Sequence, residues 1–356
     1  MQNLFDDIEV PTEKLDQVVQ GKMKEIHGQC RKRKMRWIKG GCAAAAVLIV
    51  AGIGFCISNP VLASQIPLVG HLFERIQDKQ YFPGNLSEVA STPDSGNVSE
   101  SEGVTVTLSE LYCNSQALYA SFLIESEEAF PDYGSHTEDG TDELFMDAQY
   151  QFDFIEEPIQ ADLIQLVGEY VDEHTFAGAY RISFQLEPFA TTTIPDTFQW
   201  DMEIKEIYAA ANVEAKEDTL LGEGGTWKFS VEVEKDDSKT VTKEVHQFDP
   251  LGTEIVSAVK TPFEIILKEE YHEDKKVRDD IGYIITLDAD GKYMIDKVGM
   301  IAVGDHNVSK ITRYYLPEFE SEEELEAFFT QQYEDGFEEL VKEYAVCQIE
   351  IVFDEP

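Results

Sequence analysis

Basic residues are scarce over most of this chain, and their scarcity is uneven. Of 356 residues only 28 are Lys or Arg against 70 Asp or Glu, and no Lys or Arg occurs between Lys79 and Arg181. A surface this acidic does not bind nucleic acid directly, because that affinity comes mainly from neutralised phosphates, and anionic lipid headgroups repel it. Cysteine is sparse as well, with five residues at no zinc-binding spacing. The seven histidines include no H-E-x-x-H, and no serine lies in a nucleophile elbow. Metal-assisted hydrolysis and acyl transfer therefore lack their minimum constellation. No cofactor or metal site is expected, and the chain reads as non-enzymatic.

What is present is one long uncharged run. Gly40 to Ser58 carry no charge over nineteen residues. As a helix they are roughly 30 Å long, about the thickness of a bilayer's hydrocarbon core. Immediately before them stand Arg31, Lys32, Arg33, Lys34, Arg36 and Lys39. Cations beside a span keep their side cytoplasmic, so the expected topology is a single crossing with the N-terminus inside and the bulk of the chain outside. Up to Lys39 the chain holds nine Lys or Arg against six Asp or Glu, and beyond it 19 against 64. Thirty-nine residues ahead of the apolar run make too long an n-region for a signal peptide, although Val61-Leu62-Ala63 has the small residues of a peptidase site. Gly41 with Ala45, and Gly52 with Cys56, are small pairs four apart that permit close helix contact and hence a homodimer in the bilayer.

Inside, Leu15, Val18, Val19, Met23 and Ile26 share one face of a helix that Thr12 after Pro11 would cap. Twenty residues cannot build a core alone. This stripe must bury against a cytoplasmic protein, a second copy of itself or the membrane surface, which makes it the partner-binding candidate of the chain.

Outside, Ile66 to Phe73 is compatible with a small helix, and Ser87 to Gly103, rich in Ser, Pro, Gly, Asn and Glu, reads as a flexible spacer. From Val104 strands dominate. Leu118, Ala120, Phe122 and Ile124 alternate with their neighbours, as do Tyr180, Ile182, Phe184 and Leu186, then Trp200, Met202 and Ile204, then Trp227, Phe229, Val231 and Val233. Period two predicts half-buried antiparallel strands, and a sandwich is the natural way to bury them. A glycine-rich break at Asn212 to Gly225 predicts a boundary between two outer domains. Further strands are expected at Pro262–Leu267, Ile281–Thr286, Tyr293–Val298 and Cys347–Phe353. Ser321 with Glu324 forms a capping box that opens a helix presenting Leu325, Phe328 and Phe329, followed by a helical set of Phe337, Leu340, Val341 and Tyr344.

Three local motifs have bland explanations. Ser257 and Lys260 match S-x-x-K, but in strand surroundings the two side chains point to opposite faces. Asp288, Asp290 and Gly291 suggest a calcium loop but lack its third acidic ligand and terminal glutamate, and a tight hairpin turn accounts for them. Cys113 and Cys347, both outside, either pair or stay as two buried thiols; sequence alone does not set their separation.

The succession of Arg31-Lys32-Arg33-Lys34, the alanine-rich run, Asn59-Pro60-Val61-Leu62-Ala63 and Ile66-Pro67-Leu68-Val69-Gly70 resembles DUF4179, a domain of unknown function found in single-pass membrane proteins of Gram-positive bacteria. Gly103 to Ile124 is similar to that domain's continuation, and Gly225-Thr226-Trp227-Lys228-Phe229 resembles the opening of an immunoglobulin-like domain that follows it. The resemblance implies an anti-sigma factor whose inner segment restrains an extracytoplasmic-function sigma factor. This inner segment departs from the zinc-containing type, having neither its length nor its histidine and cysteine pattern.

The expected organisation is mainly β behind one transmembrane helix. Residues 1–38 form a cytoplasmic amphipathic helix and basic cluster, 39–58 the span, and 59–103 a juxtamembrane collar and spacer. Residues 104–212 form a first sandwich-like extracytoplasmic β domain, and 213–356 a second, immunoglobulin-like one with C-terminal helices. The expected role is an envelope sensor or regulator contacting the bilayer, a cytoplasmic sigma factor and an envelope ligand. The alternative is a cell-surface binding module whose tail only anchors it.

Overall fold

Apolar alternation turns into strands wherever one face meets a core, and the computed structural model is mainly β. It describes residues 71–76, 86–93, 97–131, 142–209, 217–297, 300–334 and 336–353. The inner stripe, the cation cluster and the expected span over 39–58 lie outside these residues. Among the described residues no helix is long and apolar enough to cross a membrane.

The first nine strands are β1 (Val98–Ser101), β2 (Val104–Cys113), β3 (Ala117–Ser126), β4 (Asp142–Phe152), β5 (Ile159–Asp172), β6 (Thr175–Ser183), β7 (Thr197–Tyr208), β8 (Leu220–Leu221) and β9 (Trp227–Glu234). They form one antiparallel sheet in the order β1-β2-β3-β6-β5-β4-β7-β8, with β9 also on β7. Its two ends meet. The N–H of Thr226 donates to Ser101 Oγ at 3.1 Å, that of Lys228 to Ser99 Oγ at 3.0 Å, and the Trp227 indole to the Val104 carbonyl at 2.8 Å. The sheet therefore curls into a half-barrel instead of stacking as a sandwich. Inside it are enclosed Trp200, Trp227, Phe122 and Phe152. Covering both edges in this way also removes a template for aggregation.

Two expectations change here. The change of sheet does not fall at 212/213: β9, expected to open an immunoglobulin-like domain, pairs with β7 from Thr197↔Glu234 to Ile204↔Trp227. The glycine-rich stretch before it is a connection within the half-barrel. Nor is Ser87 to Gly103 simply a spacer, because Ser91 bridges to Leu111 and Val98–Ser101 pairs with Val104–Thr107. Its polar composition hid a strand whose serines are needed for closure.

After Glu234 the chain changes sheet. β10 (Val241–Phe248), β11 (Thr253–Lys260), β12 (Glu264–Tyr271), β13 (Ile281–Asp288), β14 (Tyr293–Met294), β15 (Asp296–Lys297), β16 (Met300–Ala302), β17 (Lys310–Pro317) and β18 (Cys347–Val352) build two sheets. Their orders are β10-β11-β12-β16-β15 and β14-β13-β17-β18. Ile255, Ile265 and Ile301 of one face Ile311, Tyr315, Ile349 and Ile351 of the other across a shared core, so this part is a sandwich. Helices later in the chain cover the second sheet's far side, where Phe328, Phe337 and Val341 pack on Ile285, Leu287, Tyr314 and Leu316. The expected Ser321 cap stands, with the Glu324 N–H donating to Ser321 Oγ at 3.2 Å, while the Glu324 carboxylate reaches back one residue further and accepts the Glu320 N–H at 3.1 Å.

Tight hairpins in both parts turn on one device, an Asn or Asp at the first corner whose carboxyl or amide oxygen accepts backbone N–H groups. Asn114 Oδ1 receives Gln116 and Ala117, Asp249 Oδ1 receives Leu251 and Thr253, and Asp288 Oδ1 receives Asp290 and Lys292, all at 2.8–3.0 Å. Asp288 Oδ2 also takes His306 Nδ1 at 2.9 Å and the Asn307 N–H at 3.2 Å. With both oxygens occupied by donors, Asp288 is a turn staple, as the hairpin reading expected.

Burial works to raise the Asp288 pKa, but the N–H of Lys292, the His306 ring and the N–H groups of Asp290 and Asn307 together hold it below the usual carboxylate range. Its contribution to stability is thus complete above pH ~4 and disappears as pH falls through the depressed value. Replacing Asp288 with Ala is expected to cost about 2–4 kcal/mol. Urea unfolding from pH 7 down to 3 checks both points, since the gap between wild type and the variant should be constant near neutrality and narrow once pH falls below about 4.

Candidate functional site

Alternation predicts that β3 has one polar face, yet β2 and β3 are both buried on both sides over nearly their whole length. Inward point Val104, Val106 and Leu108, then Leu111 and Cys113. The parity changes because a bulge between Leu108 and Glu110 consumes one residue. Outward, the register aligns Tyr112 with Tyr119 and Tyr119 with Arg181, a row across β2, β3 and β6.

Two distant segments cover that row. One is helix α1 (Leu72–Ile76), whose Leu72, Phe73 and Ile76 are at most 2% exposed. It joins Tyr112, Tyr119, Leu123, Ala177 and Ala179 in a single cluster. Polar bonds fix it there: the Phe73 N–H donates to the buried Glu110 Oε2 at 2.9 Å, and Arg75 pairs with Glu169 at 2.5 Å. The other is the turn before β12, whose Phe263 meets the Tyr112 ring edge-on at 5.3 Å. Thr261 shapes this turn by accepting the N–H groups of Phe263 and Glu264 at its hydroxyl.

Glu264, wholly buried, accepts from Arg181 Nη2 at 2.9 Å, and the guanidinium lies 5.6 Å from the Tyr119 ring centroid. Burial pushes the Tyr119 hydroxyl well above its ordinary pKa, and the Glu264 charge pushes it further. For Arg181 burial works against the charge, but Tyr119 and Glu264 outweigh it and keep the side chain protonated. Burial also pushes Tyr112 up to about 12. Tyr119, Arg181 and Tyr112 are thus held in their protonated forms, and Arg181 with Glu264 makes a buried ionic clamp at the junction.

Beside this clamp β5 and β6 separate. Their ladder runs from Asp172↔Thr175 to Val167↔Ala179 and stops, and the next pairs, Leu166 with Tyr180 and Gln165 with Arg181, are not formed. A cavity of ≈ 460 Å³ occupies the fork, walled by Leu163, Ile164, Val167, Ala179 and Arg181, with Met300 of β16 at one side.

The partner-binding stripe Leu15, Val18, Val19, Met23 and Ile26 and the cations from Arg31 to Lys39 lie outside the described residues. Ser257 and Lys260 sit on β11, where the Lys260 ammonium lies over the Phe353 ring at 5.1 Å. Cys113 and Cys347 are both free thiols, the first buried and the second half-buried. Burial raises both their pKa values. What sequence reading missed is the clamp itself, although Arg181 ends a stretch of a hundred residues without a cation and was conspicuous for that reason.

Residues 32–126 match the family model described as "Domain of unknown function (DUF4179)". No curated protein matches the chain. Among solved structures, "The crystal structure of the conserved domain protein from Bacillus anthracis" matches with 14% identity and a TM-score of 0.45, covering 72% of this chain and 88% of that one.

Replacing Glu264 with Leu strands the Arg181 charge and is expected to cost about 3–5 kcal/mol, whereas the double replacement Arg181→Leu with Glu264→Leu should recover most of it. Urea midpoints of the three proteins check this. Phe73→Ala is expected to weaken α1 docking by about 3 kcal/mol. Hydrogen exchange should then quicken at α1 while the half-barrel strands stay protected.

Proposed function

From a chain whose residues 32–126 form a DUF4179 segment, we propose a single-pass, non-enzymatic envelope sensor of the cell membrane. In this reading the outer part is extracytoplasmic and the Leu15, Val18, Val19, Met23 and Ile26 face restrains a cytoplasmic sigma factor. The observation that carries the reading is the docking of α1. Leu72 is fourteen residues beyond Ser58, the end of the apolar run, a distance that extended chain spans in at most about 50 Å. The first described element after the run is thus wedged where the half-barrel meets the turn before β12, through Phe73, Glu110, Tyr112 and Phe263. A change in either outer part that loosens this wedge alters the restraint on the segment leading to the membrane. That is the coupling a sensor needs.

The cavity beside the clamp favours a second reading, a surface binding module with an anchor and no signalling role. Val18→Asp with Met23→Asp separates the two. The variant should release sigma-dependent transcription, read as a several-fold rise in the transcripts that deletion of the protein also raises. Unchanged transcription in both strains would leave only the anchor. A phosphatase fused after Pro356 is expected to be active outside the membrane; activity confined to the cytosol would overturn either reading.

A further inference from the structure

We propose that the fork between β5 and β6 is a binding slot for a short, extended, uncharged peptide, which enters as an added strand. Each strand of the fork is paired on its far side. β5 ladders to β4 through Leu144↔Leu166, Met146↔Ile164 and Ala148↔Ala161, and β6 to β3 through Ala120↔Tyr180, Tyr119↔Arg181 and Ala117↔Ser183. Their near sides, Ile159 to Leu166 and Tyr180 to Ser183, are strand edges that face each other without a ladder. β5 is bulged at Asp162–Leu163, where the Leu163 N–H turns to Asp147, so its regular edge lies on either side of that bulge; there, as along Tyr180 to Ser183, an unpaired edge presents N–H and C=O groups that another polypeptide in extended form matches. The cavity between them, ≈ 460 Å³, falls in the range of ligand sites, about 300–1,000 Å³.

The walls define the side chains such a peptide carries. Leu163, Ile164, Val167, Ala179 and Met300 are apolar. The one cation, Arg181, is already matched by buried Glu264, and Asp162 stands at the cavity, so an anionic ligand gains no net attraction. Gln165 and Tyr180 add uncharged polar groups to the wall, so an uncharged strand that alternates apolar and hydroxyl side chains suits this surface. Leu163 at the mouth carries a second mark. Its φ is +58°, a left-handed conformation costly for a residue with a branched side chain, and its side chain is half exposed. Asp147 holds it there by accepting the Leu163 N–H at 2.9 Å and the Tyr208 hydroxyl at 2.9 Å. An apolar residue pinned outward against strain at the edge of an open cavity is arranged as a lip for something that lands on it.

This inference supplies the ligand class for the sensor reading, and its test reads the fork alone, so failure of sigma binding and failure of the slot are separable. The probe is fluorescent acetyl-Thr-Val-Thr-Val-Thr-amide, titrated by anisotropy against the full chain in phosphatidylcholine nanodiscs. The expected result is saturable binding, with slowed hydrogen exchange at the amides of residues 159–166 and 180–183. Leu163→Asp, at an exposed position where aspartate tolerates positive φ, should weaken binding at least ten-fold with the urea midpoint unchanged. The same peptide N-methylated at alternate residues, unable to ladder, should not bind. Absence of saturable binding at millimolar peptide, protection elsewhere than the fork, or equal binding of the N-methylated peptide would each overturn the proposal.

Discussion

The outer face of β2, β3 and β6 cannot stand in water. Tyr112, Tyr119, Leu123, Ala177 and Ala179 form a continuous apolar surface on the side of the sheet away from the half-barrel's own core. Leaving it exposed forfeits about 1.5–3 kcal/mol for each large side chain. The half-barrel therefore needs a cover, and the cover comes from two places far apart in sequence, α1 ahead of it and the Phe263 turn well after it. This requirement explains why a five-residue helix, too short to persist alone, is ordered at all. It also makes the parts on either side of Glu234 one cooperative unit at this point.

Apolar contact alone does not set how the second part sits on the first, because hydrophobic attraction is non-directional. The Arg181–Glu264 pair adds direction. Its guanidinium is oriented by the Tyr119 ring on one side and by the Glu264 carboxylate on the other. A buried pair of this kind is a weak source of stability and a better source of register. Glu264 Oε2 has no hydrogen-bond partner among the described residues, so the pair's desolvation is only partly repaid. A junction fixed in place but not deeply stabilised is suited to a contact that opens, in keeping with the proposed role of α1.

Local signals in the sequence were sufficient for the elements they govern. Trp227, Phe229, Val231 and Val233 alternate because one face of β9 lies in the core and the other in solvent. Ser321 and Glu324 cap a helix, and Asp288 to Gly291 close a hairpin, through contacts a few residues apart. Misreadings arose where pairing partners are distant. The glycines before Trp227 mark a real turn, but whether the next strand joins the old sheet or a new one depends on β7. The bulge at Leu108–Glu110 reverses parity without any glycine to announce it. Val98 to Ser101 looks like linker because its serines serve as acceptors for β9 and not as core. The clamp was least legible of all, since Tyr119, Arg181 and Glu264 come from three strands and meet only once the sheet has curled.

The segment matching DUF4179 ends at Ser126, the last residue of β3. At that point β3 has one neighbour, β2, and its other edge is completed by β6 from Thr175 onward. Its inner face packs on Phe229, from β9, in a T-shaped contact between Phe122 and Phe229 at 6.2 Å, and its outer face meets Arg181 and the Phe263 turn. A segment with an open edge, an inner apolar face left uncovered and an outer face covered only in part by α1 lacks the contacts that complete its core. The matched region is thus the opening of a larger unit, which β6 and the Phe263 turn complete beside α1. Packed side chains thus link β6 and Phe263 to Leu72 and Phe73 through the Tyr112–Tyr119 pair, the contact path that the proposed sensor role requires.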